Sequence, residues 1–265
     1  MNRIEQRFAE LKTSNHKGFV AYIGAGDPNL EATCKIALAF DKVGVDVLEL
    51  GVPFSDPLAD GLVNQLAAQR GLASGTTPPA LLQTVTDIRK DSQIPIVLYI
   101  YFNLMHQYGL GKFMCDARAA GVDGLLALDL PPEEAGEYSK LMQENNLSAI
   151  WLIAPTTPEN RIKEIVRQGS GFIYYISREG VTGMQQKVAD SINDKTSIIG
   201  QYTDLPIAVG FGISGPEQAK QVSECADAIV VGSAIVNQIA KHGTSNNLTE
   251  HVADYVKTLV DAVKP

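Results

Sequence analysis

Val47-Leu48-Glu49-Leu50-Gly51-Val52-Pro53-Phe54-Ser55-Asp56-Pro57-Leu58-Ala59-Asp60-Gly61 is the run whose reading decides the fold. It opens as an apolar strand with one carboxylate, Glu49, embedded near its end. A loop punctuated by Gly51, Pro53 and Pro57 follows and ends at a second carboxylate, Asp60. A helical pattern, Val63 to Ala73, comes next. Strand, loop and helix with no hairpin signal form a β/α unit, which pairs its strand in parallel with the next.

The same unit recurs on both sides. Towards the N-terminus, Ile4, Phe8 and Leu11 lie at helical spacing, so residues 2–12 read as an amphipathic opening helix. Phe19 to Ile23 is a short strand, Gly24 to Pro28 a loop, Asn29 to Val43 a helix, and Val45 to Leu50 the strand of the opening run. Towards the C-terminus a second helical pattern, Pro79 to Lys90, leads to strands at Pro95 to Tyr101, Gly124 to Leu128, Ser148 to Ile153, Gly171 to Ile176, Pro206 to Val209 and Ala228 to Val231. Helical patterns separate them at Gly111 to Ala120, Pro132 to Asn145, Pro158 to Gln168, one within 184–203, and Pro216 to Ser223. The periodic run Leu248 to Val263 reads as a closing helix.

Eight short strands alternating with helices over 265 residues match the size and count of a closed (β/α)8 TIM barrel, one domain spanning 1–265 with an extra N-terminal helix. A doubly wound open sheet is the alternative, normally with fewer strands or a second domain at this length. No internal sequence repeat is evident.

A formal charge of −8 opposes nucleic-acid or anionic-membrane binding as the main activity. Cys34, Cys115 and Cys225 have no metal-ligand spacing and read as small, mostly buried thiols in a reducing compartment. Met1 to Lys12 lacks a signal-peptide pattern, and no apolar run reaches membrane-spanning length. The expectation is a cytoplasmic protein.

In such a barrel, function sits at the C-terminal ends of the strands. Glu49, if it faces inward, is desolvated and becomes a proton-exchanging group; facing outward, it is a solvated strand residue. Asp60 and Asp56 each have an ordinary loop explanation as well. Gly210-Phe211-Gly212-Ile213-Ser214 after the seventh strand and Gly232-Ser233 after the eighth suit a phosphate cradle, with Gly180 to Gly183 as a further wall. Tyr22, Leu126, Ile153 and Phe211 fall at or beside strand ends, where they could line a flat aromatic pocket or pack the barrel top. His16, His106, His242 and His251 assemble no site, and no metal motif is present.

The opening run resembles the signature of the tryptophan synthase α subunit family. The resemblance extends through Gly26-Asp27-Pro28, Asp129-Leu130-Pro131, Ala154-Pro155-Thr156-Thr157, Ser177 to Gly183, Gly210 to Gln218 and Gly232 to Val236, in order along nearly the whole chain. It implies a lyase that splits indole-3-glycerol phosphate into indole and D-glyceraldehyde 3-phosphate in tryptophan biosynthesis. It also implies no metal or cofactor in this chain, and a partner β subunit that holds pyridoxal phosphate in an α2β2 heterotetramer. By the same resemblance Glu49 is the acid/base, Asp60 receives the indole N–H, and Tyr174 stands near Glu49. Gly183, Gly212, Gly232 and Ser233 contact phosphate. Pro53, Phe54, Asp56 and Thr182 belong to lids, Pro53 to Asp60 and Gly180 to about Lys187, the first of which also faces the partner. Leu62, Ala21, Gly24, Tyr22 and Tyr99 depart from the family pattern. Three readings follow: a lyase subunit that passes indole to a partner, a stand-alone lyase, and a non-catalytic barrel that regulates a partner.

Overall fold

In the computed structural model, residues 1–177, 185–210 and 212–264 are described. The strands β1 (Gly18–Gly24), β2 (Val47–Gly51), β3 (Ile96–Ile100), β4 (Gly124–Ala127), β5 (Ser148–Ile153), β6 (Ile173–Ile176), β7 (Ile207–Gly210) and β8 (Ala228–Val231) form a closed parallel barrel in sequence order. The helices are α1 (Arg3–Ser14), α2 (Leu30–Lys42), α3 (Leu62–Ala73), α4 (Pro78–Ile88), α5 (Phe102–Tyr108), α6 (Leu110–Ala120), α7 (Gly136–Glu144), α8 (Glu159–Gln168), α9 (Gln185–Gly200), α10 (Pro216–Ser223), α11 (Ser233–His242) and α12 (Leu248–Val263). The barrel expected from the sequence is therefore the fold, and the open-sheet alternative falls.

Three details differ from the expectation. The helix expected over Pro132 to Asn145 is broken: Pro132–Glu134 forms a single 3-10 turn before α7 begins. Helices α5 and α11 were not anticipated. Cys225 is buried and Cys34 half-buried, but Cys115 is exposed on α6, so the thiols are not mostly buried.

Side chains two residues apart on a strand share a face. One set points into the barrel, where Val20, Val47, Val97, Leu126, Ile150, Phe172, Ala208, Ala228 and Val230 pack together. The other set packs outward against the helices, with Leu48, Leu50, Leu98, Trp151, Ile153 and Tyr175 among it. Helix α1 plugs the N-terminal end of the barrel with Ile4, Phe8 and Leu11. Asn2 starts that helix with a capping box to Glu5, and its amide also reaches the Asp123 carbonyl at 3.0 Å and Ser148 Oγ at 2.7 Å. The plug leaves the opposite, C-terminal mouth for chemistry.

At the plugged end, one short turn residue ties each pair of strands. Asp46 accepts from Phe19 N at 2.7 Å, Asp123 from Ile96 N at 2.9 Å and Asp227 from Ile207 N at 2.8 Å. Ser170 Oγ accepts from Ala149 N at 2.8 Å. In each case the turn residue's own N–H returns a bond to the carbonyl of the same strand residue. The buried carboxylates are balanced from outside: Arg7 and Lys264 reach Asp46, and Arg3 and Arg89 reach Asp123.

Candidate active site

Glu49 follows Val47 by two residues and therefore points into the barrel, one layer above the packed interior. Its register partners are Tyr22 on β1 and Val97 on β3. It is 1% exposed, and neither carboxylate oxygen has a hydrogen-bond partner. Burial, and secondarily the charge of Asp60, raise its pKa from an ordinary 4.5 to about 8. At neutral pH Glu49 is a protonated acid. The inward alternative holds, and the solvated one falls.

Asp60 sits in the opposite situation. Its carboxylate accepts from Tyr99 Oη at 3.0 Å and from Tyr101 Oη at 2.8 Å, and Asn64 on α3 lies beside it. Its pKa is raised, by burial first, and Tyr101, Tyr99 and Asn64 oppose that rise without cancelling it. The two acids of one pocket thus differ in their surroundings: Glu49 is held without a donor, which favours its neutral form, while Asp60 has phenol donors that favour its anion. Tyr174 on β6, two residues beyond Phe172, is half-buried and faces Glu49, and desolvation of its phenol with that carboxylate's charge lifts its pKa well above the usual value.

The aromatic wall is built by strand alternation. Tyr99 lies on the inner face of β3 and Tyr101 just past that strand's end, and the Tyr22 ring meets the Tyr99 ring edge-on, with centroids 5.1 Å apart. Gly51 makes room for Tyr22, because a Cβ there would lie 2.3 Å from the Tyr22 hydroxyl. Leu126 lies inside the barrel as expected, in register with Tyr99. Ile153 does not: it belongs to the outer layer under the helices, and Leu152 holds the inward position on β5. The expected strand is right, but alternation places the neighbouring residue on the inner face. Phe211 lies outside the described residues.

The loop after β2 is fixed at its base and open at its tip. Pro53 is buried, Phe54 packs on the Tyr101 ring at 5.0 Å, and Ala59 N donates to Tyr101 Oη at 3.0 Å. Ser55 and Asp56 are exposed and bonded to each other. Thr182 and Gly183 lie outside the described residues, as does the second expected lid up to Met184; its remaining part, through Lys187, is the start of α9.

Across the mouth, Gly212 adopts φ +60, a left-handed conformation that a side chain would strain, with open space where a Cβ would stand. Gly232 precedes α11, and Ser233 opens that helix without any side-chain cap on its first turn. Such uncapped N–H groups at a helix start favour an anion. The two glycines thus lie just past the ends of β7 and β8.

Tyr101, Asn64 and Leu152 are site residues that sequence reasoning missed. Tyr101 had a readable signal, since it follows Tyr99 by two on one expected strand. Among the described residues no group of three or more His, Cys, Asp or Glu side chains could hold a metal, and no helix is long and apolar enough to cross a membrane.

A family model described as tryptophan synthase alpha chain matches residues 8–264. A tryptophan synthase alpha chain of Opitutus terrae is 48% identical over 265 residues, covering 100% of both chains. One of Citrifermentans bemidjiense is 47% identical over 263 residues, covering 99% of this chain and 98% of that one. The crystal structure of tryptophan synthase subunit alpha from Legionella pneumophila superposes with a TM-score of 0.92 at 36% identity, covering 99% of this chain and 98% of that one. The chain belongs to the tryptophan synthase alpha chain family, and it is a carbon–carbon lyase that cleaves indole-3-glycerol phosphate to indole and D-glyceraldehyde 3-phosphate in tryptophan biosynthesis.

Proposed function

We propose that Glu49 and Asp60 divide this reaction between them, in one domain spanning 1–265. The observation that carries the reading is the contrast in their surroundings: Glu49 is buried without a donor, whereas Asp60 accepts two phenol hydrogen bonds. Glu49, protonated, gives its proton to C3 of the indole ring. The ring becomes cationic and the bond from C3 to the glycerol carbon weakens. Glu49 then takes the proton of the adjacent glycerol hydroxyl as that bond breaks. The bond's electron pair returns to the ring, yielding neutral indole and an aldehyde. Asp60 accepts a hydrogen bond from the indole N–H and offsets the positive charge while it lasts. Positioned proton transfer contributes roughly 10²–10⁴-fold, and an anion held beside a developing cation adds an electrostatic contribution.

Tyr174 borders Glu49 and keeps water from it. Tyr22, Leu126 and Leu152 hold the indole; Phe211 joins them by family resemblance. Gly212, Gly232 and Ser233 bind the phosphate through backbone N–H groups, with Gly183 by resemblance. Asp56 and Thr182 meet when the lids close over the substrate.

The partner is a β subunit carrying pyridoxal phosphate, in an α2β2 assembly in the cytoplasm, and this chain needs no cofactor of its own. Leu58 is 92% exposed and Leu62 70%, with Leu66 partly exposed beyond them. They run from the loop after β2, at Leu58, onto α3, an apolar ridge suited to partner contact. The test is to measure indole release by the isolated chain and after addition of a β subunit. We expect slow release alone and a strong rise on mixing. Equal rates would refute the coupled assembly and favour a stand-alone lyase.

A further inference from the structure

Tyr99 departs from the family pattern, and its position gives the departure a role. The β3 strand places its ring on the inner face, edge-on to Tyr22. Its hydroxyl donates to Asp60 Oδ1, while Tyr101 takes Oδ2. One phenol per oxygen fixes both the position and the plane of the carboxylate. An ionised carboxylate has about four acceptor sites, so room remains for a substrate N–H.

We infer that Tyr99 is a positioning residue for cleavage, holding Asp60 as an anion in the orientation that receives the indole N–H. The inference rests on the reading of Asp60 given above.

The two phenols differ in what else they do. Tyr101 also accepts from Ala59 N, so it ties the loop to β3 as well as holding Asp60. Tyr99 touches the loop through Asp60 only, among the hydrogen bonds of the described residues. The groups facing Asp60 are Tyr22 on β1, Glu49 on β2, Tyr99 on β3, Tyr101 just after it, and Asn64 on α3. Glu49 is the only other acid among them, and it is neutral at pH 7. Loss of the Tyr99 donor therefore leaves Asp60 with Tyr101 and Asn64. The carboxylate becomes easier to protonate and freer to turn.

The experiment compares wild type, Tyr99→Phe and Asp60→Asn in steady-state cleavage of indole-3-glycerol phosphate from pH 5 to 9. A ¹³C-carboxyl titration of Asp60 is run on wild type and Tyr99→Phe. We expect Tyr99→Phe to lower kcat by about tenfold, with a smaller change in KM. The acid limb of kcat/KM and the Asp60 titration should both move to higher pH. A purely packing role would lower thermal stability and leave both pH readings where they are in wild type. That result, or unchanged kcat, overturns the inference. Asp60→Asn separates the two levels of argument. If it cleaves at the wild-type rate, the reading of Asp60 itself fails. If it is inactive while Tyr99→Phe matches wild type, only the role of Tyr99 fails. Should Phe at 99 prevent folding, Tyr99→Leu removes the same donor with a smaller apolar side chain, and the same two readings decide.

Discussion

Glu49→Gln separates the chemical role of the acid from its burden on the fold. Glu49 is 1% exposed, without a partner, and loses its proton at about 8 rather than at 4.5. Between those values the folded chain holds a proton that the unfolded chain has released. The folded state binds more protons, so stability falls as pH rises through that window. The cost to folding is under about 1 kcal/mol at pH 5, about 3 kcal/mol at pH 7 and about 5 kcal/mol at pH 9, at ~1.4 kcal/mol per tenfold of proton affinity. Gln keeps the shape and cannot ionise, and its buried amide resembles the neutral acid in lacking partners. The variant should therefore melt close to wild type at pH 5 and well above it at pH 9. With ~2 °C per kcal/mol for a domain of this size, the gap at pH 9 is roughly 10 °C. Cleavage should fall by at least about 10²-fold at every pH. Thermal melts of both proteins at pH 5, 7 and 9, followed by circular dichroism, give the answer. A melting difference that stays constant across that range would mean that Glu49 ionises normally, and the acid assignment would be refuted. Wild-type cleavage by the variant would refute the mechanism directly.

Gly51→Ala places a methyl 2.3 Å from the Tyr22 hydroxyl and 2.7 Å from its ring carbon Cζ. We expect a loss of about 1–3 kcal/mol and a raised KM, partly restored by Tyr22→Phe; equal damage in the double variant would disprove the clash. Asp27→Asn breaks a buried two-point pair with Arg70, at 2.7 Å for each bond, that ties the loop after β1 to α3. Because the Arg70 side chain remains 35% exposed, the expected loss is about 1–3 kcal/mol rather than that of a fully buried pair, read as a lower melting temperature; an unchanged melt would show the pair to be idle.

The sequence made the barrel legible because strand and helix periods alternate cleanly and Pro and Gly mark the joints. It was less informative where local signals are weak. Helices α5 and α11 both begin without a side-chain cap, after Tyr101 and Gly232. Their starts therefore looked like loop. At the site, Glu49 and Asp60 were visible as acids, but the difference in their surroundings was not. That difference depends on Tyr99 and Tyr101, which lie about 40 residues further along the chain. The slip from Leu152 to Ile153 is a matter of phase. A buried strand that is apolar on both faces does not say which residues point inward.

The turn bonds at the plugged end of the barrel have a consequence for how the ring is divided. Asp46, Asp123, Ser170 and Asp227 each stand before an even-numbered strand and lock it to the odd-numbered strand before it. The junctions between those pairs carry no such clasp but backbone bonds, Leu48 N to the Pro95 carbonyl, Ser148 N to that of Asp123, Ile173 N to that of Pro206 and Gly18 N to that of Asp227, with Asn2 bridging the second from α1 and Lys17 reaching the Ala226 carbonyl at the last. The circle is thus made of quarter sectors, each clasped internally by a turn side chain that the junctions between sectors lack. A sequence comparison misses this fourfold division because it rests on one residue per sector, and Ser170 replaces the aspartate in one. New chain ends opened between sectors, after β2 or after β4, would spare every clasp.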